Sequence, residues 1–234
     1  MKISICTATY GANGHQTRLL KRLWKSICEQ SYDHNQIEWI VSDQDALPEG
    51  EDSIAELEKS NISIKYLAFE DDSGISAHNT NNALDHASGE YVVILNHDDF
   101  FYHENALRDM VAALDGSEKG WVASACLHTD DYETKLERLH VPSFPGEKGL
   151  IEGINRIGCP SVVMFKRELG LKCDPNIVYA MDCDMWIQLY RSAGEPAIIQ
   201  SPNVVIRMWA SQFTNDLGPA QLDKDKVAMR AKYE

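Results

Sequence analysis

The sequence predicts an α/β protein with a Rossmann-like, mostly parallel central sheet and helices on both faces. Three observations lead there. Apolar, β-branched runs alternate with segments of helical period through the first hundred residues, the pattern of a parallel sheet wrapped by its own connections. Polar residues follow directly on three of those runs, at Thr7–Tyr10, Asp43–Asp45 and Asn96–Asp99, where open parallel sheets bind ligands. The composition, 44% hydrophobic and 25% charged over 234 residues, suits a globular chain that builds its own core without a disulfide or metal staple.

Lys2 to Ala8 reads as the first strand, and Gly11 to Gly14 as a flexible turn after it. Thr17 to Gln30 carries Leu19, Leu20, Leu23, Trp24 and Ile27 at helical spacing. Ile37 to Ser42 is a second strand, Asp52 to Ser60 a short helix and Ile62 to Leu67 a third strand. A turn at Asp71–Gly74 leads into a helix over Ala77 to Ala87, ended by Gly89. Tyr91 to Leu95 is the most apolar strand and runs straight into Asn96-His97-Asp98-Asp99. The pattern then loosens. Glu104 to Leu114 reads as a helix, Trp121 to Leu127 as a strand, and His140 to Gly158 has no clear period. Ser161 to Phe165 is a strand, and Met181 to Ser192 a helix with Trp186, Leu189 and Tyr190 facing inward. Ile198 to Arg207 is a last strand broken by Pro202. From Gln221 the tail is a helix whose Lys224, Lys226, Arg230 and Lys232 alternate with acids, as on an exposed face.

Lys and Arg total 22 against 36 Asp and Glu, a net charge of −14. Such a field repels phosphate backbones, which disfavours nucleic acid and anionic membrane surfaces as partners except through local basic patches. The six cysteines form no CxxC pair and have no histidine at zinc-finger spacing, so reduced thiols in a cytoplasmic protein are expected. Cys6, Cys126 and Cys183 have apolar neighbours and read as small buried hydrophobes. The stretch from Met1 begins a strand and lacks the apolar run of a secretory signal. No window approaches the roughly 18 uninterrupted apolar residues of a membrane span.

Asp98 and Asp99 are the sharpest chemical signal. Adjacent carboxylates at a buried strand end repel one another and are costly without a compensating cation. Mg²⁺ or Mn²⁺ prefers one or two carboxylates together with the oxygens of a substrate diphosphate. The competing reading makes the pair a cap for a helix beginning near Tyr102. His97, His103 and Glu104, with His128, Asp130 and Asp131, offer a weaker, hydrolase-like metal grouping without regular ligand spacing. Glu70 to Asp72 reads as a solvated turn, and neither Ser161 nor Ser211 has a base at nucleophile spacing.

The ordered set Ile3-Ser-Ile-Cys-Thr-Ala-Thr-Tyr10, Glu38-Trp-Ile-Val-Ser-Asp43 and Gly89-Glu-Tyr-Val-Val-Ile-Leu-Asn-His-Asp-Asp99 resembles the inverting family-2 glycosyltransferases of the GT-A fold. Asp72-Ser-Gly-Ile75, Asn81, Ala87-Ser-Gly89 and Met181-Asp-Cys-Asp-Met-Trp186 are similar to further segments of that family. The resemblance covers residues 2–100 well and 155–210 loosely. It implies one GT-A domain, with residues 1–100 binding a nucleotide sugar and residues 101–234 binding the acceptor. By position, Thr9 and Tyr10 match the base-contacting loop and Asp43 the carboxylate that reads a uracil-like edge. Asn81 also falls in a nucleotide-binding segment. Asp98 matches the residue near the ribose, Asp99 the ligand of a divalent cation (Mn²⁺ or Mg²⁺), and Asp182 the general base, with Asp184 its nearest rival. Gly11, Ala83 and Met181 depart from the family's usual Asn, Gly and Glu. Trp209 stands where many relatives carry a His.

The implied function is transfer of a sugar from a nucleotide sugar, UDP-linked, to the hydroxyl of a glycan, lipid-linked glycan or other acceptor, with inversion and metal assistance. Two other classes use similar parts. A nucleotidyltransferase of sugar phosphates would show a glycine-rich basic loop after the first strand, and Gly11 to Gly14 followed only by Arg18 is a poor one. A non-catalytic nucleotide-sugar-binding protein would accommodate the departures at Met181 and Trp209.

Overall fold

Strand–helix alternation resolves into a single sheet in the computed structural model, which describes residues 1–11, 14–44, 61–71, 73–130, 133, 135–209 and 217–234. The expected helix from Asp52 to Ser60 lies outside the described residues, as do the centre of the Gly11–Gly14 turn, Asp45, Asp72, Asp131 and Ser211.

Among the described residues the strands are β1 (Ile3–Thr9), β2 (Ile37–Asp43), β3 (Ser63–Ala68), β4 (Tyr91–Ile94), β5 (Phe100–Phe101), β6 (Trp121–Asp130), β7 (Leu136–His140), β8 (Val163–Lys166) and β9 (Ala197–Met208). They run in the order β3-β2-β1-β4-β8-β6-β9-β5, with β7 paired to β6. The first four are mutually parallel, in the register Thr9 opposite Asp43 and Cys6 opposite Ile94. β8 is antiparallel to both of its neighbours, and β9 runs parallel to β6. These directions bring the carboxyl ends of β1, β2, β4 and β9 and the amino end of β8 to one edge of the sheet. The helices are α1 (Gln16–Cys28), α2 (Ser76–Asp85), α3 (Ala106–Asp115), α4 (Glu147–Ile151), α5 (Met181–Ala193) and α6 (Pro219–Tyr233).

Parallel strands covered on both sides read as continuous apolar runs. β4 and β2 are buried at every position, and the side chains of α1 and α5 complete the same core. Trp24 stacks on Trp39, and Trp121 on Trp186, at 5.1 and 5.8 Å between ring centres. Cys6, Cys126 and Cys183 are buried, and all six cysteines are free thiols.

Several local expectations needed correction. The helix anticipated from Glu104 begins at Ala106, after a turn in which Asn105 N bonds the His103 ring and Ala106 N the His103 carbonyl. Pro202 does not break β9; the pairing with β6 slips around it, opposite Ala125, and then resumes. β7 and α4 arise in stretches where no period was legible, since β7 has one mainly exposed run and α4 is little more than one turn. The tail helix is not simply an exposed face, for it buries Asp225 and Met229.

At the opposite edge, Glu38 is the centre of a polar network. Its carboxylate accepts hydrogen bonds from Ser4 Oγ, Ser88 N and Oγ, and Gly89 N, and it pairs with Lys2. Burial alone would raise its pKa, but the bonds from Lys2, Ser4 and Ser88 outweigh that and bring it down to about 2. Gly89 sits so close to β1 that an added Cβ would lie 2.7 Å from Ser4 N and 2.8 Å from Lys2 O. Backbone atoms cannot rotate aside, so Gly89→Ala should lower stability by about 1–3 kcal/mol. Urea unfolding checks this, and an unchanged midpoint would show that the edge has slack.

Candidate active site

The chain leaves β1 for β2 on one side and returns at β4 on the other, so the loops after β1 and β4 diverge. Between them opens a cavity of about 290 Å³. Ala8, Tyr10, Gln44 and Asn96–Asp99 contribute to it from the first half, with Ser76, Asn79 and Thr80 of α2. Cys159, Pro160, Val178, Tyr179, Met181, Asp182 and Ile206 contribute from the second.

Both members of the acidic pair line the cavity, and neither caps α3, whose N-cap residue is Asn105. Asp99 is 2% exposed. Its Oδ2 accepts from Ser161 Oγ at 2.6 Å and Asn96 Nδ2 at 3.2 Å, and its Oδ1 from Arg207 N at 3.2 Å. Burial, and then the charge of Asp98, push its carboxyl well above the usual range despite these bonds. Trp209 Nε1 donates to Asp98 Oδ2 at 2.9 Å, so the residue at the family's His position orients a carboxylate and has no lone pair for a metal. The Arg207 guanidinium donates to the Asp98 carbonyl at 3.2 Å and pairs with Glu133, which also takes Arg22.

These residues fit a divalent cation. Two hard oxygen donors share the cavity, and the buried one resists ionisation unless positive charge is close. Among the described residues no three His, Cys, Asp or Glu side chains converge, so the remaining ligands would be water and substrate oxygens, the usual habit of Mg²⁺ and Mn²⁺. The hydrolase-like grouping does not assemble among the described residues. His103 bonds Asn203 and His128 bonds the Arg138 carbonyl. Burial lowers the pKa of His97, which the Ala8 carbonyl holds beside Tyr10.

Asp182 and Asp184 part company on α5. Asp182 lines the cavity in the first turn, and Asn155 Nδ2 donates to its Oδ2 at 3.3 Å. It caps nothing; the N-cap residue is Ala180, which makes no side-chain cap bond. Burial raises its carboxyl to about 7. Asp184 is fully buried and holds the tail, accepting from Lys232 Nζ, Tyr233 OH and Gln188 Nε2 at 2.8, 2.6 and 2.7 Å. Two residues along a helix differ by about 200°, so only one of the pair faces the cavity.

The nucleotide-side residues divide as well. Tyr10 lines the cavity, its ring 5.1 Å from that of His97. Thr9 and Asp43 are fully buried behind the lining. Asn79 Nδ2 donates to the Thr9 carbonyl, and Tyr66 OH to Asp43 Oδ2 at 2.7 Å. Asn81 is not brought to the cavity: its amide makes two 2.8 Å bonds to the backbone of Cys173. Helical phase explains this correction, because Ser76, Asn79 and Thr80 share the face that Asn81 leaves by one step.

Sequence reasoning missed Ser161, Asn155 and Asn79, and it gave Gln44 no role of its own within the Asp43–Asp45 run. Ser161 is not a nucleophile candidate but a support, for its hydroxyl donates to Asp99 and accepts from Asn96 N. Asn155 lies in the stretch without a period and carried no signal. Asn79 did carry one, lying with Ser76 at helical spacing on α2.

The model of the family described as "Glycosyl transferase family 2" matches residues 4–170. The chain is 25% identical over 190 residues to the "Putative teichuronic acid biosynthesis glycosyltransferase TuaG" of Bacillus subtilis (strain 168), covering 81% of this chain and 72% of that protein. It superposes on S. aureus TarS 1-349 in complex with UDP-GlcNAc with a TM-score of 0.69 and 15% identity, covering 93% of this chain and 62% of that one. The mannosyltransferase PcManGT from Pyrobaculum calidifontis, in complex with GDP-Man and Mn²⁺, gives a TM-score of 0.63 at 21% identity over 88% of this chain and 56% of that one. The chain therefore spans about 60% of the length of these two solved structures, and at such identities they show the α/β GT-A-type fold alone.

Proposed function

The chain belongs to glycosyl transferase family 2, and on that premise we propose that it transfers a sugar from a UDP-linked donor to an acceptor hydroxyl, with inversion at the anomeric carbon. One observation carries the reading: Asp182, with a carboxyl raised to about 7, shares a cavity with the Asp98–Asp99 pair. A base near neutrality and an acidic pair suited to a diphosphate are the two ends of a glycosyl transfer.

Tyr10, whose ring stands against His97, would offer an aromatic face to the nucleobase, and Asp98, on the same cavity, would accept from a ribose hydroxyl. Asp98 and Asp99 would hold Mn²⁺ or Mg²⁺, which when bound offsets the charge of the departing diphosphate. Asn155 steadies one Asp182 oxygen. Asp182 takes the proton from the acceptor hydroxyl as its oxygen attacks the anomeric carbon, worth about 10²–10⁴-fold when within hydrogen-bond reach. Attack opposite the leaving diphosphate in one displacement inverts the centre. Residues 1–100 thus serve the nucleotide, and residues 101–234 supply the base and the acceptor side. The donor in the TarS complex supports a UDP-sugar, and the Mn²⁺ in the PcManGT complex supports the cation. The likeness to TuaG, named for teichuronic acid biosynthesis, supports a glycan acceptor. Among the described residues no helix is long and apolar enough to cross a membrane.

The test is a thermal-shift panel of UDP-, CDP- and GDP-sugars with and without Mn²⁺, since a specific ligand raises the midpoint by mass action. UDP should bind about tenfold or more tightly than CDP, because cytosine lacks the N3–H that Asp43 would accept and an unmade buried bond costs about 1–3 kcal/mol. Asp43→Ala should narrow the gap. Asp43 is fully buried and already takes Tyr66 OH, so base reading through it requires the site to rearrange on binding. Equal UDP and CDP affinities in the wild type would remove Asp43 from base reading, and no shift with any nucleotide sugar would remove the donor class.

A further inference from the structure

Three successive backbone N–H groups at the mouth of the cavity converge on one oxygen from the far end of the chain. Val178, Tyr179 and Ala180 donate to Asp225 Oδ2 at 3.0, 2.5 and 2.8 Å. Asp225 lies on α6 and is fully buried, and its Oδ1 accepts from Gln221 Nε2 at 2.8 Å. Val178 and Tyr179 line the cavity, and Met181 and Asp182 follow directly in the chain. Ala180 is the N-cap of α5 and makes no side-chain cap bond of its own; Asp225 takes its N–H together with those of the two residues before it.

The rest of α5 does not depend on this contact. Its body is anchored by buried Cys183, Met185, Trp186, Ile187 and Leu189. α6 is tied down independently, by Lys232 and Tyr233 on Asp184 and by Arg230 on Glu152. Asp225 takes the N–H groups of all three residues of the segment 178–180, which leads into Asp182.

We propose that Asp225 is a positioning residue for sugar transfer: its carboxylate gathers the three N–H groups ahead of α5 and so sets where Asp182 meets the acceptor hydroxyl. The proposal rests on the reading of Asp182 as base. It makes α6 part of the catalytic apparatus without touching substrate, and it separates rate from donor affinity, because Tyr10, Asp98 and Asp99 come from β1 and β4.

The experiment compares Asp225→Ala, Asp225→Asn and Asp182→Asn. UDP affinity is measured by calorimetry with Mn²⁺. Release of UDP from UDP-GlcNAc at saturating donor is followed with water as acceptor, and amide exchange is followed across residues 176–183. Asp225→Ala should keep UDP affinity within about twofold, lose about tenfold in release rate, and exchange faster only at 178–180. Asp225→Asn retains an acceptor oxygen and should keep more than half the rate. A wild-type rate in Asp225→Ala beside a crippled Asp182→Asn overturns the positioning role alone. A wild-type rate in Asp182→Asn overturns the base reading and this proposal with it. Loss of UDP affinity and of protection throughout the chain would make Asp225 a purely structural residue and overturn the proposal. Should Asp225→Ala not fold, Gln221→Ala, which removes only the partner of Oδ1, carries the same comparison, with faster exchange at 178–180 and a lowered rate expected and a wild-type result overturning.

Discussion

Asp182→Asn should bind UDP as the wild type does and transfer sugar roughly 10²–10⁴-fold more slowly. The amide keeps the size of the side chain and leaves Asn155 in place, while removing the group that accepts the proton. The pH profile provides a second signature. A base must be unprotonated to act, and burial holds Asp182 near 7, so the wild-type rate should rise through neutrality and level off above it. That limb should vanish in the residual activity of Asp182→Asn.

Stability should move the other way. A carboxyl whose folded pKa lies above its unfolded value binds a proton more tightly when folded, so the protein loses stability as pH rises from about 4 toward 7. Asp182→Asn removes that cost and should melt no lower than the wild type at pH 8. Asp184→Asn is the matched opposite. It breaks a buried carboxylate's bonds to Lys232 and Tyr233 and should cost about 3–5 kcal/mol while sparing the rate per folded molecule. If Asp184→Asn loses the rate and Asp182→Asn keeps it, the base lies two residues along.

Asp99→Ala should abolish the Mn²⁺-dependent part of UDP affinity. Its carboxylate is the more buried of the pair, and Ser161, Asn96 and the Arg207 amide fix it in place. Ionising it there is unfavourable without nearby positive charge. Calorimetric titration of UDP with and without Mn²⁺ should therefore give two different affinities for the wild type and one for the mutant. Unchanged cation dependence in Asp99→Ala would exclude it as a ligand. Trp209→Phe gives a milder comparison, freeing Asp98 from its indole donor while leaving the pair intact.

The sequence by itself determined the parallel half of the sheet and the edge at which chemistry collects. β1, β2 and β4 are each a short apolar run with polar residues at its end, and such local patterns need no partner to be read. They put Tyr10, Asp98 and Asp99 at one edge of the sheet, while Asp182 entered only through the family resemblance. Tertiary structure alone decided which carboxylate of α5 faces that cavity, why Asn81 turns to Cys173, and why Asn79 and Gln44 take the lining. It also decided that Ser161, Arg207 and Trp209 hold the acidic pair and that Asp225 holds the segment ahead of Asp182. These contacts join residues 45 to 111 positions apart. Strand order and direction create those around the acidic pair, by bringing the carboxyl end of β9 and the amino end of β8 to the end of β4, and no local period records which distant strands will be neighbours.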